Sequence, residues 1–348
     1  PMCEFTMLKL PEGYNGFFVH MDHRLIDSCG LVVMIGDLFQ LYTYYKYGTA
    51  HPQELADFET VLKKDLAKAG NEKRFAKDKK FWDDQLDALG EPLYSDIQGP
   101  SVLENARKRH GNPKLRSSDI EMKNLFVAVK DYYLEPGPTQ NLIDFCMNHQ
   151  LSMTNLLLLG IRTYLSKVNN GQEDITIQNF ISRRSTHDEW TSGGSRTIMF
   201  PCRTVIAPET DFLSAAYEIQ NMQNRIYMHS NYDPALIMDE MRKRYNTPEH
   251  TGYESCYLTY QPMPVKVENE MLGTIRQHAK WFANGAATKK MYLTVSHTED
   301  GGMNFSYHYQ TAHLEEHDME LLYYYMMRIL FKGIAEPDMS IGEIMELV

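Results

Sequence analysis

Near the start of the chain, apolar positions gather in two short runs, 5–10 and 17–21, split by Pro11, Gly13, Asn15 and Gly16. Short runs broken by turn residues predict two strands joined by a tight turn. The period then changes. Leu31, Ile35, Leu38, Leu41, Tyr42 and Tyr45 recur at helical spacing, so a helix packs behind the segment that follows the hairpin. Residues 63–89 are charged and amphipathic, with Phe75, Phe81, Trp82 and Leu86 marking the buried stripe of one or two surface helices.

Between Glu91 and Ser118 the apolar content falls and Gly99, Pro100, Gly111 and Pro113 appear. This predicts a boundary, with an N-terminal lobe over 1–98 and a C-terminal lobe over 99–348. Residues 125–129 read as a strand, and 139–168 hold two helical patterns, the second largely buried because it carries the run 156–159. Strands are expected at 175–181, 197–205 and 255–260, and helices at 212–227 and 235–245. A hairpin of 291–296 and 303–309, turned at Glu299, Asp300, Gly301 and Gly302, precedes a helix over 314–331.

Composition narrows the class. A chain of 348 residues exceeds what one hydrophobic core usually serves, so two lobes with a cleft between them are expected. Hydrophobic residues at 43% and charged residues at 23% are ordinary for a globular protein, and no apolar run reaches the roughly 18 residues of a membrane span. A cytoplasmic location without membrane contact is the expectation. The net charge of -11 argues against a nucleic-acid partner, which is gripped by clustered Lys and Arg. Cys3, Cys29, Cys146, Cys202 and Cys256 are odd in number and contain no CxxC pair, which fits reduced thiols.

Two His-x-x-x-Asp pairs occur, His23 with Asp27 and His229 with Asp233, and the spacing alone does not choose between them. The first follows a strand, meets a small-residue corner at Ser28, Cys29 and Gly30, and is backed by a long helix. Such a corner would hold an imidazole at the mouth of a cavity. In the second, Asp233 stands just before Pro234 as a helix cap. His313 and His317 are spaced i, i+4 on an expected helix, but their neighbours Glu315 and Glu316 complete no zinc pattern, and a solvated face explains them. The tyrosines at 42–47 and 323–325 read as core and interface aromatics.

The segment VHMDHRLIDSCG, residues 19–30, resembles the HHxxxDG core motif of nonribosomal peptide synthetase condensation domains and their chloramphenicol acetyltransferase-like relatives. Asp22 replaces the first histidine and Ser28 the glycine, while His23 and Asp27 are retained. Later segments resemble the family in the same order. KKFWDDQL is similar to its tryptophan-bearing helix. EDITIQNFISRRS is similar to D-I-V-x-G-x-P-x-A-G-R and places the arginine at Arg184. GGSRTIMFPCRTV is similar to G-M-F-V-N-T-L-P-L-R and keeps Gly194, Pro201 and Arg203. Gln178, Phe180, Arg183 and Ile198 depart from the pattern, so the chain is a divergent member. The resemblance begins just before the core motif, leaving the family's preceding strands and helices outside this sequence.

The resemblance implies a two-lobed α/β fold, mixed sheets flanked by helices with a tunnel between lobes. It also implies an acyltransferase forming an amide between acyl and aminoacyl thioesters. His23 would be the catalytic base or would stabilise the intermediate, since an imidazole with an ordinary pKa of about 6.5 can accept a proton at cellular pH. Asp27 and Arg184 would pair as structural support, with Arg183 the alternative partner, and Asp22, Ser28, Gly30, Tyr257 and Thr259 would line the site. The domain itself would bind no cofactor or metal. Its substrates would arrive on phosphopantetheine arms of carrier proteins, alongside an adenylation domain of the same assembly line. Two alternatives stand beside this one: a stand-alone acyltransferase acting on a small amine or alcohol, and a non-catalytic condensation-like recruitment platform.

Overall fold

The computed structural model describes residues 2–261 and 285–348. The chain opens with β1 (Cys3–Lys9) and β2 (Asn15–Met21), followed by α1 (Ser28–Tyr47), α2 (Phe58–Ala69), α3 (Glu72–Leu89) and α4 (Ser101–Arg109). Next come β3 (Ser118–Asp119), β4 (Val127–Leu134), α5 (Pro136–Asn148), α6 (Met153–Val168), β5 (Asp174–Ser182), α7 (His187–Thr191) and β6 (Thr197–Val205). The remainder is α8 (Phe212–Met228), α9 (Pro234–Tyr245), β7 (Thr251–Gly252), β8 (Cys256–Gln261), β9 (Met291–His297), β10 (Met303–Gln310), α10 (Glu316–Ala335) and α11 (Ile341–Leu347).

These elements form two compact units that interleave along the chain. The described residues of the first fall within Pro1–Glu72 and Ser182–Ile198, and those of the second within Lys73–Ile181, Met199–Pro264 and Lys280–Val348. In the first unit, β1 and β2 pair antiparallel from Cys3 with Met21 to Lys9 with Asn15, as the split apolar runs require. The hairpin leaves Phe5, Met7 and Phe18 exposed. Tyr42, Tyr45 and Tyr47 of α1 are exposed too, which removes these three from the core and leaves them as surface aromatics, with the Lys46 ammonium over the Tyr42 and Tyr47 rings.

The second unit is built on a six-stranded mixed sheet ordered β4-β10-β9-β8-β5-β6. The β8 strand runs parallel to β5 and β9, while β10 is antiparallel to β9 and β4. Side chains alternate across a strand, so one row points into the core: Leu258, Leu293, Val295, Phe305 and Tyr307 are fully buried. Among the helices, α6 is the most deeply packed, with Leu156 to Leu159, Ile161 and Leu165 buried, and it lies against α8, α10 and α11. Trp82 of α3 stacks on Phe200 of β6 at a centroid distance of 5.6 Å, and Arg203 bridges to the Asp174 carboxylate at 2.7 Å, tying β6 to the start of β5.

Most expected elements are present, with four differences. The strand expected at 125–129 is β4, which runs on to Leu134 because its register is set by pairing with β10. The boundary region contains α4, whose buried stripe is only Leu103 and Ala106. The short helices α7 and α11 are additional, each opened by a capping box at Thr186 with Glu189 and at Ser340 with Glu343. His313 stands in a turn ahead of α10, which starts at Glu316, so it does not share a helical face with His317. His313 bonds Glu121 at 3.2 Å and His317 bonds Glu320 at 3.2 Å. Among the described residues no helix is long and apolar enough to cross a membrane, and the five cysteines are free thiols.

Candidate active site

The site starts from the turn that joins β2 to α1. The Leu25 amide donates to the Asp22 carbonyl at 2.9 Å, which closes the turn around His23. The Asp22 carboxylate accepts from the Arg24 backbone amide at 2.9 Å and from its guanidinium at 2.7 Å. These bonds hold Asp22 well below the usual carboxylate range and raise Arg24 in turn. His23 is exposed at the tip of this turn, and among the described residues it makes no hydrogen bond or ion pair. The Asp22 to Arg24 contact therefore fixes the turn without occupying the imidazole.

Four residues on, the chain is locked. Asp27 caps α1 in an extended conformation, and its carboxylate accepts the Gly30 amide at 2.9 Å. Arg184, just beyond β5, grips the same carboxylate with both terminal nitrogens at 2.8 Å. The backbone amides of Arg196 and Thr197 and the Thr197 hydroxyl complete its coordination at 2.8 to 2.9 Å. Burial alone would raise the Asp27 pKa, but the guanidinium and the amides outweigh it and hold the group at about 2. Arg184 also donates to Ser182 Oγ at 3.0 Å and to the Gly194 carbonyl at 2.8 Å. Arg183, the alternative partner in sequence, offers its carbonyl to Arg196.

Gly30 is where α1 touches the segment ahead of β6. A Cβ at this position would meet the Gly194 carbonyl oxygen at 2.6 Å and Ile26 at 2.8 Å, so only glycine lets the two backbones approach. Gly30 is buried, whereas Ser28 and Cys29 are partly exposed in the first turn of α1. Burial pushes the Cys29 thiol up, so at neutral pH it carries no thiolate.

A second clasp in this unit has no counterpart in the motif reading. The Arg196 guanidinium reaches Asp65 at 2.6 Å and Glu189 at 3.3 Å, while its side chain is almost fully buried. Glu189 is itself buried; burial would raise it, and the Ser185 and Thr186 donors together with Arg196 hold it at about 2. The only sequence signal was the charge of Asp65, Glu189 and Arg196 inside otherwise structured segments, and spacing gives no hint that they meet.

Tyr257 and Thr259 lie in the second unit, on the row of β8 opposite the buried Leu258. Tyr257 pairs with Tyr292 and Thr259 with Thr294 in the neighbouring strand, and the Tyr292 hydroxyl donates to Thr259 Oγ1 at 2.9 Å. Tyr257 also lines a cavity of about 630 Å³ with Tyr94, Glu254, His250, Lys290 and Gln310. The second His-x-x-x-Asp pair takes no such form: Asp233 caps α9 through the Ala235 amide at 2.9 Å, and His229 Nδ1 meets Asp78 at 2.8 Å with its ring stacked on Phe81.

Comparisons with known proteins bear on the family and the fold. The family model described as "Condensation domain" matches residues 1–347. A plipastatin synthase of Bacillus subtilis (strain 168) is 20% identical over 345 residues, which are 99% of this chain and only 12% of that much longer protein. The first condensation domain of the calcium-dependent antibiotic synthetase, solved in complex with a substrate analogue, superposes with a TM-score of 0.71 at 15% identity, covering 98% of this chain and 72% of that one. VibH, an NRPS condensation enzyme, superposes with a TM-score of 0.70 at 13% identity, covering 99% and 74%. With its six-stranded mixed sheet, its flanking helices and a family match over nearly its whole length, the chain belongs to the condensation-domain family of acyltransferases.

Proposed function

We propose that the chain joins an acyl or peptidyl group to an aminoacyl group, each carried as a thioester on the phosphopantetheine arm of a carrier protein, with His23 serving the attacking amine. The amine nitrogen adds to the thioester carbonyl, a C–N bond forms and the C–S bond breaks. The imidazole takes the proton from the amine, or holds the amine and the charged intermediate in place, and the leaving thiolate ends protonated. Asp27 and Arg184 are positioning residues in this reading. Asp22, Ser28 and Gly30 line the path of the substrates beside His23. The partners are carrier domains and an adenylation domain of the same cytoplasmic assembly line, and the domain binds no cofactor of its own.

One observation carries the reading: the imidazole of His23, exposed and without a partner among the described residues, stands four positions before a carboxylate locked by Arg184 and by the amides of Gly30, Arg196 and Thr197, so the turn that bears it has a fixed base. The substrate analogue bound in the related condensation domain adds support. In a reconstituted condensation assay with loaded carrier proteins, His23→Ala lowers product formation by about 10²–10⁴-fold, the usual worth of a positioned acid or base. Unchanged product formation overturns the role of His23. It would then favour a different catalytic group, or the recruitment platform that the altered motif, with Asp22 at the first-histidine position, leaves as the alternative.

A further inference from the structure

Two consecutive lysines lead into β9, and they are treated differently. Lys290 forms an ion pair with the buried Asp96 at 2.6 Å and belongs to the core of its unit. The Lys289 ammonium lies 4.9 Å from the Phe180 ring centroid, 5.1 Å from that of Tyr292 and 5.8 Å from that of Tyr257. It is half-buried, and among the described residues no carboxylate pairs with it and no acceptor takes its protons. Burial lowers its pKa.

Those three rings come from β5, β8 and β9, on the row of the sheet opposite the buried leucines. Thr259, Thr294 and His308 share that row through the strand register. Ring faces attract a cation but leave its charge without a counter-ion. Among the described residues Lys289 is thus a cation kept partly dry and held by rings, without an ionic partner. A single ammonium is a point charge that suits one carboxylate, whereas a phosphate dianion is usually met by several donors or an arginine fork. The flanking phenyl and phenol faces suit an apolar stem.

We propose that Lys289, with Phe180, Tyr257 and Tyr292, is a specificity-determining site for a carboxylate borne on an apolar stem of the acyl substrate. The proposal rests on the reading of the chain as a handler of acyl thioesters. The approaching carboxylate pairs with the ammonium, and its stem lies against the rings, which exclude water from the pair.

The test compares the glutaryl and hexanoyl thioesters of N-acetylcysteamine, which are similar in length and differ in the terminal carboxylate, by isothermal titration calorimetry on the intact chain at neutral pH. The glutaryl thioester binds the wild-type chain about tenfold more tightly than the hexanoyl one, in line with a charge-assisted hydrogen bond. Lys289→Met brings the ratio close to one, and Lys289→Arg retains a preference for the charged thioester, which separates loss of charge from loss of fold. Failure of the glutaryl thioester to saturate the wild-type chain overturns the proposal, as does a preference that survives Lys289→Met. His23→Ala distinguishes this proposal from the catalytic one. A variant that binds with the same preference but forms product about 10²–10⁴-fold less supports both, and one whose product formation is unchanged sinks the role of His23 while leaving the binding result to decide Lys289.

Discussion

Asp27 is a carboxylate with nearly every lone pair spoken for, gripped by Arg184, by the amides of Gly30, Arg196 and Thr197 and by the Thr197 hydroxyl. Both ion-pair partners are almost wholly removed from water, so deleting either leaves a buried charge without compensation. Arg184→Met is expected to destabilise the chain by about 3–5 kcal/mol, read as a loss in the chemical-denaturation midpoint, and a change below about 1 kcal/mol would show the clasp to be dispensable. The same pair sets an acid limit. The ordinary aspartate value is 3.8 and the folded value about 2, so the native state binds fewer protons than the unfolded one between them. Asp27 thus contributes stability in full above 3.8, and the contribution, roughly 2 kcal/mol, is lost as the pH falls through 2. Glu189, held at about 2 against an ordinary 4.5, acts in the same direction. In unfolding titrations from pH 6 to pH 2, Asp27→Asn is expected to flatten the acid limb relative to wild type.

At the level of elements, two glycines show how tightly the helices of the second unit are set. A Cβ on Gly160 of α6 would meet Met326 at 2.9 Å, and one on Gly333 of α10 would meet the buried Phe212 ring at 2.3 Å. Alanine favours a helix over glycine by about 1 kcal/mol, yet overpacking a close contact costs about 1–3 kcal/mol. Gly333→Ala is therefore expected to lower stability, and Phe212→Leu to relieve part of that loss in a double-mutant cycle; simple additivity of the two changes would show that the ring is not what excludes the methyl group. Such contacts also mark where sequence reading stops. The hairpins, α1, α6 and β6 were readable because their apolar positions follow one period over most of their length. The α4 helix was not, since two buried residues among arginines and flanking Gly and Pro give no stripe. The α11 helix carried a readable capping signature in Ser340 and Glu343, which a search for apolar periods passes over. At the candidate site, the motif resemblance singled out Asp27 and Arg184, residues 157 positions apart, whereas Arg196, Asp65 and Glu189 meet only through the fold.

Over the whole molecule, the two units differ in how their strands are secured. In the six-stranded sheet the buried row of β8, β9 and β10 packs against a helix layer that includes α6 and α10, and the central strands are paired on both sides. Among the described residues the β1 and β2 strands pair only with each other, and Phe5, Met7 and Phe18 are 54%, 78% and 58% exposed. A two-stranded ribbon with little apolar burial is marginal, so it opens at a small fraction of the global free energy, whereas the central sheet opens only on global unfolding. Hydrogen–deuterium exchange followed by mass spectrometry is expected to show amides of residues 3–21 exchanging roughly 10³-fold faster than those of Leu293, Val295 and Phe305. His23 sits directly after that ribbon and directly before the Asp27 lock, so a fast ribbon followed by slow amides at the start of α1 would place the imidazole at the junction of a yielding and a fixed segment. Equal protection across β1, β2 and the central sheet would mean that something secures the ribbon beyond its own pairing, and that the turn bearing His23 is held from both sides.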